Sequence, residues 1–235
     1  MFRWIRIVFV VLTFAVTWAY AALPGHHRAL TPEFFGLFLI ENGIYTDAPE
    51  RHAEFEALLD TAQARAQGFF VGAKAPRIFI CTSQECADRF DLKLRGLTLG
   101  RHLVFLGPKG LNEMILTHEF AHIHLHSRMG VQDVFHQRIP AWFNEGLATH
   151  LSRDPRVQSF APRQATWIKQ AKSFRAWGRL HQTRDWQETY GAAKTLVAAL
   201  HAEIGDVGLR TIIDDAIETG DFEAALRRQV GRDWP

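Results

Sequence analysis

A chain of 235 residues with 47% hydrophobic and 22% charged side chains has the composition of a globular protein, sufficient for one domain or one with two lobes. A formal net charge of +2, with Lys and Arg scattered and no dense basic stripe, argues against a dedicated nucleic-acid binder. Nothing repeats at a fixed period, and no stretch is of low complexity.

The first 23 residues differ from the rest. Arg3 and Arg6 flank Trp4, and residues 7–23 then run without a charge, the pattern of a basic n-region followed by an apolar h-region. Ala19-Tyr20-Ala21 has the small-x-small form of a cleavage site, yet residues 7–23 are also just long enough to cross a bilayer. Residues 1–23 are therefore expected to be a signal peptide or an N-terminal membrane anchor. Either one makes residues 26–235 an exported, periplasmic or extracytoplasmic domain, soluble after cleavage or attached through residues 7–23.

After a short linker, residues 31–40 are expected to form a helix, with Thr31 as N-cap and Pro32 at the first position. Asn42-Gly43 marks a turn. Residues 50–67 carry Phe55, Leu58, Leu59 and Ala62 at helical spacing, and Gly68 supplies the stop. Strand signals follow at 69–71, 77–81 and 103–106. Cys81 and Cys86, five apart across an expected turn, suit a disulfide in an exported protein. A two-cysteine metal site lacks further ligands at suitable spacing, and free buried thiols are the remaining reading.

Next comes His118-Glu119-Phe120-Ala121-His122, led in by 112–117 without Gly or Pro and followed by Gly130. On a helix, residues four apart share a face about 6 Å apart along the axis. His118 and His122 can thus converge on one metal ion, and Glu119 can reach a water in its open position without ligating it. His124 points elsewhere, and His126 lies too far along the axis from His118 to share an ion with it. The metzincin pattern needs Gly at 125 and His at 128, where this chain has Leu125 and Arg128. The best third ligand is Glu145, in Pro140-Ala141-Trp142-Phe143-Asn144-Glu145-Gly146-Leu147-Ala148, a second helix opened by Pro140. Gly146 costs that helix about 1 kcal/mol relative to Ala, which a close approach to the first helix would explain.

HEFAH followed after a loop by PAWFNEGLA resembles the gluzincin zinc metallopeptidases, and most of all their short, MA-like (minigluzincin-like) members. The two motifs cover about a third of the chain. The resemblance implies an α+β, zincin-like two-lobed domain: a small mixed or antiparallel sheet in an N-terminal lobe, a helical C-terminal lobe, and Zn2+ between them. It implies His118, His122 and Glu145 as zinc ligands and Glu119 as general base, acting on a peptide or protein substrate. Thr149 stands where some relatives carry a carboxylate that orients a ligand His, so that support has to come from elsewhere. A sheet edge at 103–106 would pair with extended substrate in such a fold; the alternative is a core strand.

Residues 163–177 are basic and aromatic, and are expected to be a helix with a buried aromatic stripe and a solvated basic face; a membrane-facing or substrate-facing surface is the alternative. Helices are expected at 189–204, 206–218 and 222–230, the last two separated by Gly220. Tyr190 opens the first of these. The resemblance implies that it donates a hydrogen bond to the oxyanion of the transition state; a structural Tyr is the alternative, and His181, His150 and His102 are rivals for the role. His26, His27, His136 and His201 are taken as surface or core residues.

The function expected is an exported zinc-dependent metallopeptidase. Two alternatives stay open: a catalytically silent exported or membrane-anchored binding protein on the same fold, and a zinc amidase acting on cell-envelope material. Oligomeric state, substrate and cleavage preference are not written in the sequence.

Overall fold

The computed structural model describes residues 25–70, 72, 76–130 and 137–234. The segment 1–23, Val71 and His136 lie outside the described residues. The fold is mixed α+β. Five strands form one sheet: β1 (Phe38–Leu39), β2 (Ile44–Thr46), β3 (Arg77–Ile80), β4 (Gly96–Leu99) and β5 (Leu103–Leu106). Their spatial order is β1-β2-β3-β5-β4. The central strands β2, β3 and β5 are parallel, while β1 and β4 run antiparallel at the two edges.

Period-two alternation gives each face of the sheet its own core. Ile78, Ile80, Val104 and Leu106 point one way, into a cluster with Phe55 and Leu59 of helix α1 (His52–Gln67) and Leu116, Phe120 and Ile123 further along the chain. Tyr45, Phe79 and Phe105 point the other way and stack as a ladder across three strands, with ring centroids 5.2 and 4.8 Å apart. Below that ladder Cys81 and Cys86 form the expected disulfide, with Cα atoms 5.3 Å apart. It spans the start of α2 (Gln84–Arg89), whose N-cap Ser83 accepts from the Cys86 amide.

The remaining helices are α3 (Glu113–Ser127), α4 (Ala141–Leu151), α5 (Phe174–Leu180), α6 (Trp186–Thr219) and α7 (Phe222–Val230). A third core, containing Trp142, Phe143, Leu196, Leu200, Ile212 and Leu226, joins α4, α6 and α7. Helix α3 belongs to two cores at once. Leu116, Phe120 and Ile123 face the sheet cluster, and Ala121 and Leu125 face the helical one.

Several expectations need correction. Residues 31–40 are not a helix: Pro32–Phe35 is a 3-10 turn ended by Gly36 at φ 78°, after which Phe38 and Leu39 pair with β2. Phe69 and Phe70 form no strand; they turn into the helical core, and Arg210 donates to the Phe69 carbonyl. Residues 163–177 break into a helical turn at Pro162–Ala165, a 3-10 stretch at Thr166–Gln170 and then α5. The carbonyls of Ala171 and Lys172 there accept from Trp142 and Ala141 at the head of α4, which no continuous helix could offer. The helices expected at 189–204 and 206–218 fall within α6, which breaks between them at Gly205, at φ 66°. Because α6 starts at Trp186, Tyr190 stands in its second turn and does not open it. The core reading of 103–106 holds, since β5 lies between β3 and β4. The free edge on that side is β4, a strand the sequence did not signal.

Candidate metal centre

Helix α3 is set by Asn112, whose side-chain oxygen accepts from the Ile115 amide at 3.0 Å. With its apolar sides claimed by two cores, the face that is left carries His118, Glu119 and His122. Helix α4 packs against α3 and brings Glu145 to the same point. His118, His122 and Glu145 each place one ligand atom within 4.8 Å of the others, and they are the group of this kind found among the described residues.

The triangle is the right size for one ion. The two imidazole Nε2 atoms lie 3.1 Å apart, and Glu145 Oε2 lies 3.5 Å from His118 Nε2 and 3.6 Å from His122 Nε2. Tetrahedral ligands at about 2.0–2.1 Å from a metal sit roughly 3.3 Å from one another. Glu145 Oε2 is buried with no hydrogen-bond partner, a costly arrangement for a carboxylate unless a cation meets it. The residues present therefore fit a metal ion.

Charge at the centre tells the same story. Burial opposes ionisation of both partners, but their mutual attraction wins. His122 is raised to about 9 against its burial by the Glu145 carboxylate, and Glu145 is held well below the usual carboxylate range by His122 and His118. In this ion pair a proton does the work of a cation, and a metal would displace it.

Behind His122 runs a chain of buried polar groups. His122 Nδ1–H donates to Asn144 Oδ1 at 2.8 Å, the Asn144 amide donates to His126 Nε2 at 3.4 Å, and His126 Nδ1–H donates to the Gly100 carbonyl at 2.9 Å. Burial pushes His126 down to about 4, so it is neutral and can accept in this way. The chain fixes His122 in the tautomer that presents Nε2 to the metal. The orienting group expected from elsewhere is thus Asn144, while Thr149 donates to the Glu145 carbonyl at 2.7 Å and reaches no His.

Glu119 is held from the sheet side. Thr98 of β4 donates to its Oε2 at 2.7 Å, and a Cβ on Gly96 would stand 2.5 Å from its Oε1. Residues 97 and 99 face the aromatic core, so Gly96 and Thr98 are the residues β4 turns toward α3. Gly146 is explained differently from expectation: a Cβ there would lie 2.6 Å from the Ala193 carbonyl and 2.8 Å from Val197, so the close approach is to α6 and not to α3.

A cleft of about 590 Å3 opens over His118, Glu119 and Glu145. One wall is aromatic: Trp177, His181, Trp186 and Tyr190, with Tyr190 packed edge-on to Trp177 at 5.0 Å and its ring 5.9 Å from that of His118. Burial, and then the charges of Glu145 and Glu119, push the Tyr190 hydroxyl well above its ordinary range, so it is a protonated donor. Leu94 and the cations Lys93, Arg95 and Arg156 stand along the cleft, with Arg156 paired to Asp154 at 2.6 Å.

Of the other histidines considered for chemistry, His181 lines the cleft, whereas His150 bonds His201 at 2.8 Å away from it and His102 is exposed beside Arg101. His26 meets the Phe90 carbonyl at 2.8 Å. Sequence reasoning missed Asn144, Gly96 and Thr98. Asn144 had one legible sign, its place beside Glu145 on a helix; the other two had none. Comparison with family models, with curated proteins and with solved structures finds no match to this chain.

Proposed function

We propose that this chain is an exported zinc-dependent metallopeptidase of the gluzincin type, with the sheet and α3 as one lobe, the helical core as the other, and the metal between them. The observation that supports the reading is the convergence of His118, His122 and Glu145 on one point, where the buried Glu145 Oε2 accepts no hydrogen bond, with Glu119 beside them at the floor of a cleft. Two imidazoles and one carboxylate with an open fourth position are the donor set of a catalytic zinc. When bound there, zinc supplies a Lewis acid that polarises water and a scissile carbonyl.

The chain's own residues carry the remaining steps. Glu119 takes the proton of the attacking water and later returns it to the departing amine. Thr98 and Gly96 set where that carboxylate points. Tyr190, kept protonated, donates to the oxygen on which negative charge develops. The free edge of β4 offers backbone groups to an extended peptide lying along the cleft.

The test is direct. The purified protein is expected to hold one zinc per chain and to cleave members of a peptide library. Glu119→Gln should keep the metal and lose most activity, whereas Glu145→Ala should lose the metal. Tyr190→Phe should lower kcat and kcat/KM together, by about a hundredfold, with little change in KM. Zinc binding by Glu145→Ala equal to the parent's would remove the third ligand, and the gluzincin reading with it.

A further inference from the structure

Eight large hydrophobic side chains are exposed among the described residues, and four of them, Leu30, Phe34, Phe38 and Leu39, fall within ten positions of sequence. Their exposures are 76, 87, 57 and 55%. Leu94 and Trp186 line the cleft and so have a use, but this group has none in the chemistry above. It occupies two consecutive 3-10 turns, Gly25–Leu30 and Pro32–Phe35, and the edge strand β1, each packed against the next. The support beneath is firm. Leu37 is wholly buried, and Phe35 packs edge-on against Phe90 at 6.2 Å, so the exposed side chains are held outward by an ordered base. Apolar groups on a sheet edge facing water invite aggregation, and folded domains ordinarily cover or charge such an edge.

The anchor reading of residues 7–23 offers a cover. The uncharged run of residues 7–23 ends two positions before Gly25, where the first of these turns begins. If that run enters a bilayer, the turns and β1 are the part of the domain held against the bilayer surface. We propose that Leu30, Phe34, Phe38 and Leu39 insert into the headgroup and upper acyl region of the membrane to which residues 7–23 attach, as a second contact that fixes the domain's orientation. Phe and Leu suit that depth, and a second apolar contact turns a swivelling tether into a seated one. The inference rests on membrane attachment, and not on the hydrolytic chemistry.

The experiment uses the full chain in vesicles of phosphatidylethanolamine and phosphatidylglycerol. Phe34→Cys, Phe38→Cys and, as a water-exposed control, Val207→Cys (Val207 is 69% exposed) each receive a nitroxide label. Cys81 and Cys86 are tied to each other, so only the new thiol reacts. At positions 34 and 38, collision with an aqueous nickel chelate should fall about tenfold below the control, while collision with dissolved oxygen rises. Nickel access equal to that at 207 would overturn the proposal. So would loss of both nickel and oxygen access, which marks a protein cover such as a second copy or the chain's own leader. Flotation of the same samples separates a missing tether from a dry but lipid-free patch: a chain that does not float with the vesicles overturns the proposal at the level of attachment.

Discussion

At the scale of single residues, the arrangement around Glu119 is tight enough to make a sharp prediction. A methyl group at position 96 would stand 2.5 Å from the Glu119 carboxylate, far inside van der Waals contact, and the carboxylate or β4 must move. If Glu119 is the base proposed above, a displacement of about 1 Å costs on the order of a hundredfold in rate. Gly96→Ala should therefore cut turnover to that extent and leave the metal content of the protein unchanged; parental turnover in this variant would show that Gly96 does not set the base. His124 offers a prediction of another kind. It is 1% exposed, lies between Phe70 and Phe120, and neither ring nitrogen has a partner. Burial pushes it down to about 4 from an ordinary 6.5. Above pH 6.5 it is neutral folded and unfolded, and it adds no pH dependence. As pH falls from 6.5 toward 4, the unfolded chain takes up a proton that the folded chain refuses, so stability is lost, by roughly 3 kcal/mol at the acid end. His124→Leu should raise stability by about 1 kcal/mol at neutral pH, since it removes two unsatisfied nitrogens, and should flatten the acid decline. Urea unfolding of both proteins at several pH values checks this, and parallel curves would refute it.

At the scale of elements, α4 delivers two neighbours to one site, Glu145 to the candidate metal centre and Asn144 to His122 of that centre. Removal of an orienting partner of this kind ordinarily costs about 10–100-fold in metal affinity. Asn144→Ala should fall in that range, well short of the loss expected for Glu145→Ala, as competition with a chromophoric chelator would read out. What the sequence revealed at this scale follows from the range of the interactions involved. Helix α3 and its pair His118 and His122 were legible because i and i+4 are neighbours on any helix. Two of the three parallel strands, β3 and β5, were legible because Ile78, Val104 and their kin stand in apolar runs, whereas the three-residue β2 behind a turn gave no such run. Strand β4 was not, because two of its four residues serve α3: Gly96 makes room for Glu119 and Thr98 bonds it, and neither choice signals a strand. Thr31 and Pro32 did imply a helix start, but Gly36 turned the chain into β1 after one turn. Asn144 and Thr98 act on partners 22 and 21 positions away, through packing that no local pattern encodes.

At the scale of the whole molecule, β1 and β4 are opposite edges of one sheet, four strand spacings apart. At about 4.8 Å per spacing, that is roughly 19 Å from the strand beside the exposed Phe38 to the strand beside Glu119. With the β1 edge seated on a bilayer, the sheet becomes a ruler. Extended peptide advances about 3.3 Å per residue, so a membrane-embedded target has to project some six residues before its backbone reaches the cleft. Peptides tethered to the same vesicles through spacers of increasing length should resist cleavage below that reach and be cut once past it, while free peptides of identical sequence are cut throughout. The stem length of a membrane protein, more than the residues flanking its scissile bond, would then decide whether the proposed peptidase site can touch it.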